Sequence, residues 1–148
     1  MIEKIYYDDN NYVTFDIPES GAVGAFMSGG ADSSLMGYIM AKIITDNNLP
    51  TKIVPVTTEF LARPYNYRCA FNVLQKITEL TGMEFENHPC FIMPNFDRKV
   101  KDEEKIVIMG GYTREYARKF GFEVMFNGLT ANPPVEHVVD NDFGERQT

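Results

Sequence analysis

Residues 22–44 read Ala22-Val23-Gly24-Ala25-Phe26-Met27-Ser28-Gly29-Gly30-Ala31-Asp32-Ser33-Ser34-Leu35-Met36-Gly37-Tyr38-Ile39-Met40-Ala41-Lys42-Ile43-Ile44. A short apolar run, Ala22–Met27, breaks into a loop of small polar residues and then into a helix pattern. Leu35, Met36, Ile39, Met40, Ile43 and Ile44 recur at the 3.6-residue period and form one apolar stripe. The stretch therefore predicts a buried strand, a tight loop and an amphipathic helix. Two glycines let the backbone turn sharply with no Cβ between chain and ligand. Successive N–H groups of such a loop converge on an anion, and the helix that follows adds its free amides and positive dipole end. Ser28, Ser33 and Ser34 add hydroxyls, and Asp32, which would repel a phosphate directly, suits holding the loop or a Mg²⁺ ion. Gly37, costly inside a helix by up to about 1 kcal/mol, is explained if the helix closely approaches the sheet.

The same rhythm continues outward. Lys52–Thr58 reads as a second strand, and Tyr65–Leu80 as a helix with Ala70, Val73, Leu74, Ile77 and Leu80 inward and Gly82 as its stop. Met83–Cys90 reads as a third, weaker strand. Asp102–Phe120 is ambiguous, since Ile106–Met109 suits a strand, while Ile106, Met109, Tyr112, Tyr116 and Phe120 keep helical spacing. The acidic start Asp102-Glu103-Glu104 favours the helix, weakened by Gly110-Gly111. Glu123–Phe126 is a fourth strand. Ahead of this pattern, Ile5–Tyr7 and Tyr12–Ile17 flank an Asp/Asn-rich turn and predict a hairpin. Strands alternating with helices predict an α/β domain: three layers, a mainly parallel sheet with helices on both faces, plus the N-terminal hairpin. Ligands of such sheets sit at the strands' carboxyl ends.

The loop is neither a Walker A motif, lacking Gly-Lys-Ser/Thr, nor a G-x-G-x-x-G fingerprint. Ser28-Gly29-Gly30-Ala31-Asp32-Ser33 instead resembles the signature loop of the PP-loop ATP pyrophosphatase superfamily (adenine nucleotide alpha hydrolase-like). A softer match, Tyr116–Gly128, resembles the helix, glycine and strand that lead to a Gly- and Asn-bearing loop beside the nucleotide. In that stretch the 7-cyano-7-deazaguanine synthases look nearest, although their four-cysteine zinc site is absent from a chain with only Cys69 and Cys90.

The resemblance covers about residues 22–134 and implies an ATP- and Mg²⁺-using enzyme of ligase or synthase type. ATP would place its β,γ-phosphates on Ser28, Gly29, Gly30, Ala31, Asp32, Ser33 and Ser34. Its adenine would lie near Ala25, Phe26, Met27 and Thr57, with Asn127 and Gly128 nearby and Asp32 toward Mg²⁺. An acceptor oxygen would attack the α-phosphorus and pyrophosphate would leave. Asp32, Arg63 and Arg68 are the candidate catalytic residues, and the acceptor would be a small molecule or nucleobase. Two alternatives remain: an ATP-dependent sulfurtransferase or PAPS-reductase relative using Cys69 or Cys90, and a nucleotide-binding module without turnover.

Other features read more plainly. Thr130, Asn132 and the Pro133-Pro134 turn either read a base or ribose, or cap a turn. Arg98, Lys99, Lys101 and Lys105, interrupted by acids, form a solvated loop, with a substrate lid as the alternative. His88 and Cys90 would share a strand face, but with Cys69 and His137 they lack the C-x₂-C pair that anchors zinc, and no zinc site is expected. Gly29 and Gly30 together replaced by valine should abolish ATP binding and leave the fold intact.

Composition bounds the rest. The 148 residues are 44% hydrophobic and 24% charged, the range of a folded globular chain. They fit one domain: hairpin 1–20, core 22–134, polar tail 135–148. No signal-peptide core or bilayer-length apolar run is present, so a cytoplasmic location with no membrane partner is expected. A net charge of −7 argues against bulk nucleic-acid binding but leaves room for an enzyme that meets RNA through a local patch. The length is short for the superfamily, which predicts a minimal member, a fragment, or a subunit completed by a partner. The open edges of so small a sheet also fit a homodimer.

Overall fold

A computed structural model of the chain describes residues 1–61, 64–93 and 102–128. The elements run β1 (Ile2–Tyr6), β2 (Tyr12–Asp16), β3 (Ala22–Phe26), α1 (Ala31–Asp46), β4 (Lys52–Phe60), α2 (Asn66–Thr81), β5 (Cys90–Met93), α3 (Asp102–Phe120) and β6 (Phe122–Phe126). β1 and β2 pair antiparallel, and the other four strands form a parallel sheet in the order β5-β4-β3-β6. Every crossover between the parallel strands is a helix, as parallel pairing requires.

Side chains alternate across the sheet, and each face has its own core. Val23 and Ala25 of β3 and Ile53 of β4 pack under α1 and α2, with Met36, Met40, Ile44, Ala70, Leu74 and Ile77 facing them. On the opposite face Val54 and Val56 of β4, Phe91 of β5 and Phe122 of β6 meet Met109, Tyr116 and Phe120 of α3. The three-layer expectation holds. α3 is a helix because its apolar positions share one side. Tyr112 stacks on Phe91 at 4.7 Å, and the Tyr116 hydroxyl donates to the Cys90 carbonyl at 3.1 Å.

The hairpin docks by its second strand, where Phe15 stacks on Phe126 at 5.8 Å and Ile17 is fully buried. Gly37 does mark a close approach, because a Cβ there would lie 3.0 Å from Met27 Cε.

Three expectations change. Residues 83–89 are not a strand, since Pro89 has no N–H to donate and pairing starts only at Cys90, opposite Thr57. His88 and Cys90 therefore do not alternate along one strand. Leu35 and Leu80, placed on inward stripes, are 61% and 62% exposed; each lies just past the arc that Met36–Met40–Ile43 or Ala70–Leu74–Ile77 buries. β4 also runs two residues beyond Thr58, which brings Glu59 and Phe60 to the sheet's carboxyl end. No helix among the described residues is long and apolar enough to cross a membrane.

Candidate functional site

The sheet changes direction at β3. β4 and β5 are added on one side with α1 and α2 on one face, and β6 is added on the other side through α3. Carboxyl ends flanking such a reversal leave a crevice. Here it is a cavity of about 360 Å³ bounded by Phe26 and Met27 of the β3 end, Ser28, Gly30 and the first turn of α1. Val56, Thr58 and Phe60 of β4, Asn66 of α2, Met109 of α3, and Asn127 with Gly128 complete it.

The loop between β3 and α1 is fixed from several sides. The Met27 N–H donates to the Val56 carbonyl at 2.9 Å, extending the β3–β4 ladder into the loop. Gly29 has φ +82°, and a Cβ on it would lie 2.4 Å from Cys69 Cβ and 2.8 Å from the Ala70 nitrogen. This glycine is thus demanded twice, by a left-handed backbone and by the first turn of α2 pressed against it.

The serines close the loop on itself. Ser33 Oγ accepts from the Ser28 N–H at 3.2 Å and donates to the Gly30 carbonyl at 3.3 Å. Ser28 Oγ lies 3.2 Å from Ser33 Oγ and accepts the Gly30 N–H at 3.2 Å, while Ser34 Oγ donates to the Gly30 carbonyl at 2.6 Å. The first intrahelical bond of α1 is Ser34 N–H to Gly30 carbonyl, so the amides of Ala31, Asp32 and Ser33 lie ahead of it, as helix N-termini leave them. Gly128 meets this turn from the β6 side: a Cβ on it would sit 2.9 Å from the Ser33 nitrogen. The arrangement offers an anion a set of backbone donors at a positive dipole end.

The expected site residues fall into groups. Phe26, Met27, Ser28, Gly30, Ala31, Asp32, Ser33, Asn127 and Gly128 come together on the cavity. Gly29 and Ser34 shape the loop from behind. Thr57 is placed beneath the cavity and fully buried, its hydroxyl donating to the Met27 carbonyl at 2.6 Å. Arg68 is exposed in the first turn of α2 and does not line the cavity. Arg63, Thr130, Asn132, Pro133, Pro134, His137, Arg98, Lys99, Lys101 and residues 135–148 lie outside the described residues. No Lys or Arg is among the described residues that line the cavity, so its attraction for an anion rests on the amides.

Sequence reading missed the opposite wall. Val56, Thr58, Phe60, Asn66 and Met109 carry no motif, and only the fold converges them. It also missed the support beneath the loop. Thr57 spends its proton on Met27, so His88 Nε2, 2.7 Å away, donates to Thr57 Oγ1. His88 Nδ1 is then a buried acceptor with no partner among the described residues, and burial holds the ring's pKa down to about 4, from an ordinary 6.5. Tyr67 stacks on it at 4.4 Å. Glu59 accepts the N–H groups of Asn66 and Tyr67, both at 3.1 Å, and so caps α2 from seven residues upstream.

Among the described residues no group of three His, Cys, Asp or Glu side chains could hold a metal ion. Asp32 is the carboxylate on the cavity, and that donor set fits Mg²⁺ arriving with a nucleotide, since Mg²⁺ takes one or two carboxylates together with phosphate oxygens. Cys69 is exposed and abuts the back of the loop; Cys90 is half-buried, and its burial, with Glu59 nearby, pushes the thiol up.

No protein-family model matches the sequence, and no curated protein sequence matches it. Among solved structures the chain is similar to U34-tRNA thiolase NcsA from Methanococcus maripaludis, described with its 4Fe–4S cluster, at 14% identity and a TM-score of 0.55. The match covers 75% of this chain and 38% of that one. The shared feature is the fold. Both chains share a parallel α/β fold, and here the Ser28–Ser34 loop lies at the carboxyl end of β3. Cysteine-ligated clusters draw on more thiolates than the two this chain has, so its residues do not fit such a cluster by themselves.

Proposed function

We propose that the chain is a PP-loop enzyme that binds ATP in the 360 Å³ cavity and cleaves it to AMP and pyrophosphate, activating a small acceptor in the manner of the ligases and synthases. The observation that carries this reading is the loop itself: a left-handed Gly29 clamped by α2, with the amides of Ala31–Ser33 at the start of α1 beside a cavity that no described Lys or Arg lines. The α1 amides hold the β- and γ-phosphates. An acceptor oxygen bonds to the α-phosphorus, the bond from that phosphorus to the α,β-bridging oxygen breaks, and the electron pair leaves with pyrophosphate. A second nucleophile then displaces AMP from the adenylated acceptor. Positioning and fixed dipoles carry the rate, because no covalent step on the protein is required. Asp32 is the residue that would hold Mg²⁺ together with phosphate oxygens, and the ion would supply charge neutralisation on the leaving group; Arg63 and Arg68 are the side chains proposed to assist it.

The test is product analysis by phosphorus NMR after incubation with ATP, Mg²⁺ and a panel of carboxylate and nucleobase acceptors. AMP and pyrophosphate in equal amounts support the reading. ADP with phosphate overturns it, and nucleotide binding with no product reassigns the chain as a binding module. The synthase type, resembling 7-cyano-7-deazaguanine synthase, rests on Tyr116–Gly128 alone.

A second reading, ATP-dependent sulfur transfer, is favoured by Cys69, an exposed thiol against the phosphate loop, and by the likeness to a tRNA thiolase. Cys90, with its raised pKa, stays a thiol at neutral pH and suits nucleophilic work less. Full turnover in a Cys69→Ser, Cys90→Ser double variant would eliminate this second reading.

A further inference from the structure

The peptide that leads from β3 into the loop, Met27–Ser28, is gripped on both edges. On one edge the Met27 carbonyl accepts the Thr57 hydroxyl proton at 2.6 Å, and Thr57 is fully buried. On the other edge the Ser28 N–H donates at 3.2 Å to Oγ of Ser33, in the first turn of α1. The C=O and N–H of a trans peptide point opposite ways, so Thr57 holds the carbonyl away from Ser33. A half-turn of this plane would exchange the two groups. It would break both bonds and turn a carbonyl oxygen, the negative end of the peptide dipole, toward the turn where an anion would bind.

Thr57 has one proton to give, and His88 decides where it goes. His88 Nε2 lies 2.7 Å from Thr57 Oγ1, and Nδ1 is buried with no partner among the described residues. A proton on Nδ1 would be a buried donor left unpaired, and Nε2, then an acceptor, would compete with Met27 for the Thr57 proton. With the proton on Nε2 both bonds form, and donation into Thr57 strengthens the bond that Thr57 makes in turn. The Thr57 N–H donates to the Pro89 carbonyl at 3.1 Å and so keeps the segment carrying His88 against β4. His88 does not line the loop's cavity; its ring is part of the wall of a separate cavity that Tyr67, Phe71 and Phe85 also line.

We propose that His88 is a positioning residue for anion binding: as an Nε2–H donor to Thr57 it fixes the polarity of the Met27–Ser28 peptide, and through it the affinity of the loop for phosphate groups. The proposal rests on the nucleotide-binding reading above and adds a determinant that touches no ligand. The chain of donors runs one way, from His88 to Thr57 to the Met27 carbonyl, and from the Ser28 N–H of the same peptide to Ser33 and the Gly30 carbonyl. Removing its first donor loosens the Thr57 clamp and lets the peptide populate the orientation that repels an anion.

The experiment titrates inorganic pyrophosphate by calorimetry at neutral pH into the wild type, His88→Met, which fills similar space without a donor, and His88→Gln, whose amide nitrogen can replace Nε2. His88→Met should bind about fivefold more weakly or worse, and His88→Gln should return to within about twofold of the wild type. In Thr57→Val, which lacks the hydroxyl that both bonds share, adding His88→Met should change the affinity by less than about twofold, because the two side chains act as one unit. Thermal melting without ligand checks that each variant is folded; if His88→Met is not, His88→Asn, whose amide is too short to reach Thr57, takes its place and should show the same loss. Undiminished affinity in the folded donor-less variant, no recovery in His88→Gln, or additive losses in the double variant overturn the His88 assignment alone. A wild type that binds neither pyrophosphate nor ATP overturns the nucleotide reading itself, and the His88 assignment with it.

Discussion

At the scale of single residues, the two loop glycines do different work. Gly29 sits at φ +82° against the α2 backbone, whereas Gly30 has φ −76°, and among the described residues only Ser28 Oγ, at 3.3 Å, would lie near a Cβ there. The joint valine replacement therefore does not separate ligand binding from folding, because its Gly29 half forces α2 off the loop. Gly29→Ala should cost more than about 2 kcal/mol, the left-handed penalty plus the clash, and Gly30→Ala about 1 kcal/mol or less. Urea denaturation of the two single variants measures the difference. His88 makes the second prediction. Its folded pKa of about 4 lies below the ordinary 6.5, so between those values the unfolded chain binds the extra proton and the folded chain does not. Stability should be full above pH 6.5 and fall as the pH drops toward 4. In His88→Gln the fall between pH 7 and pH 5 should be shallower, read from urea midpoints. Neither the Thr57–His88 pairing nor its link to Met27 was legible in the sequence, since 31 positions separate the two partners.

At the scale of elements, α3 shows where local preference and packing disagree. Gly110 and Gly111 lower its helix propensity, yet it forms along its whole length because Met109, Tyr112, Tyr116 and Phe120 meet β5 and β6. Among the described residues, a Cβ on either glycine would meet nothing within 4 Å. Gly110→Ala and Gly111→Ala should each stabilise the protein by about 0.5–1 kcal/mol, and a rise in melting temperature by calorimetry checks this. β5 is the opposite case. Met83 and Phe85 alternate like a strand, but there the alternation only presses residues 83 and 85 on the α2-side core, and Pro89 delays pairing until Cys90. An apolar alternation tells which side chains face a core; it does not tell whether a neighbouring strand lies alongside. The Glu59 cap on α2 was unreadable for a related reason, since it reaches its helix across a turn and not from the usual cap position.

At the scale of the whole molecule, charge and topology act together. The chain carries −7, and no described cavity residue is basic, so the proposed phosphate binding would draw on amides and the α1 dipole. Nucleotide affinity should change less than about threefold between 50 and 500 mM salt, measured by titration calorimetry. A steep decline would instead assign the binding to cations such as Arg63 or Arg68. The sequence by itself determined the glycine- and serine-rich loop between β3 and α1, the alternation of strands and helices, and hence the three layers. Those follow from glycine and serine chemistry and from short-range periodicity, which neighbouring residues carry among themselves. Only the tertiary structure decided the far wall of the cavity. Phe60 ends β4, Asn66 begins α2, Met109 rides on α3, and Gly128 reaches α1 from β6, four places that become neighbours only because the sheet reverses at β3. Long-range pairing is set by packing free energy summed over the molecule, and no local stretch of the chain records it.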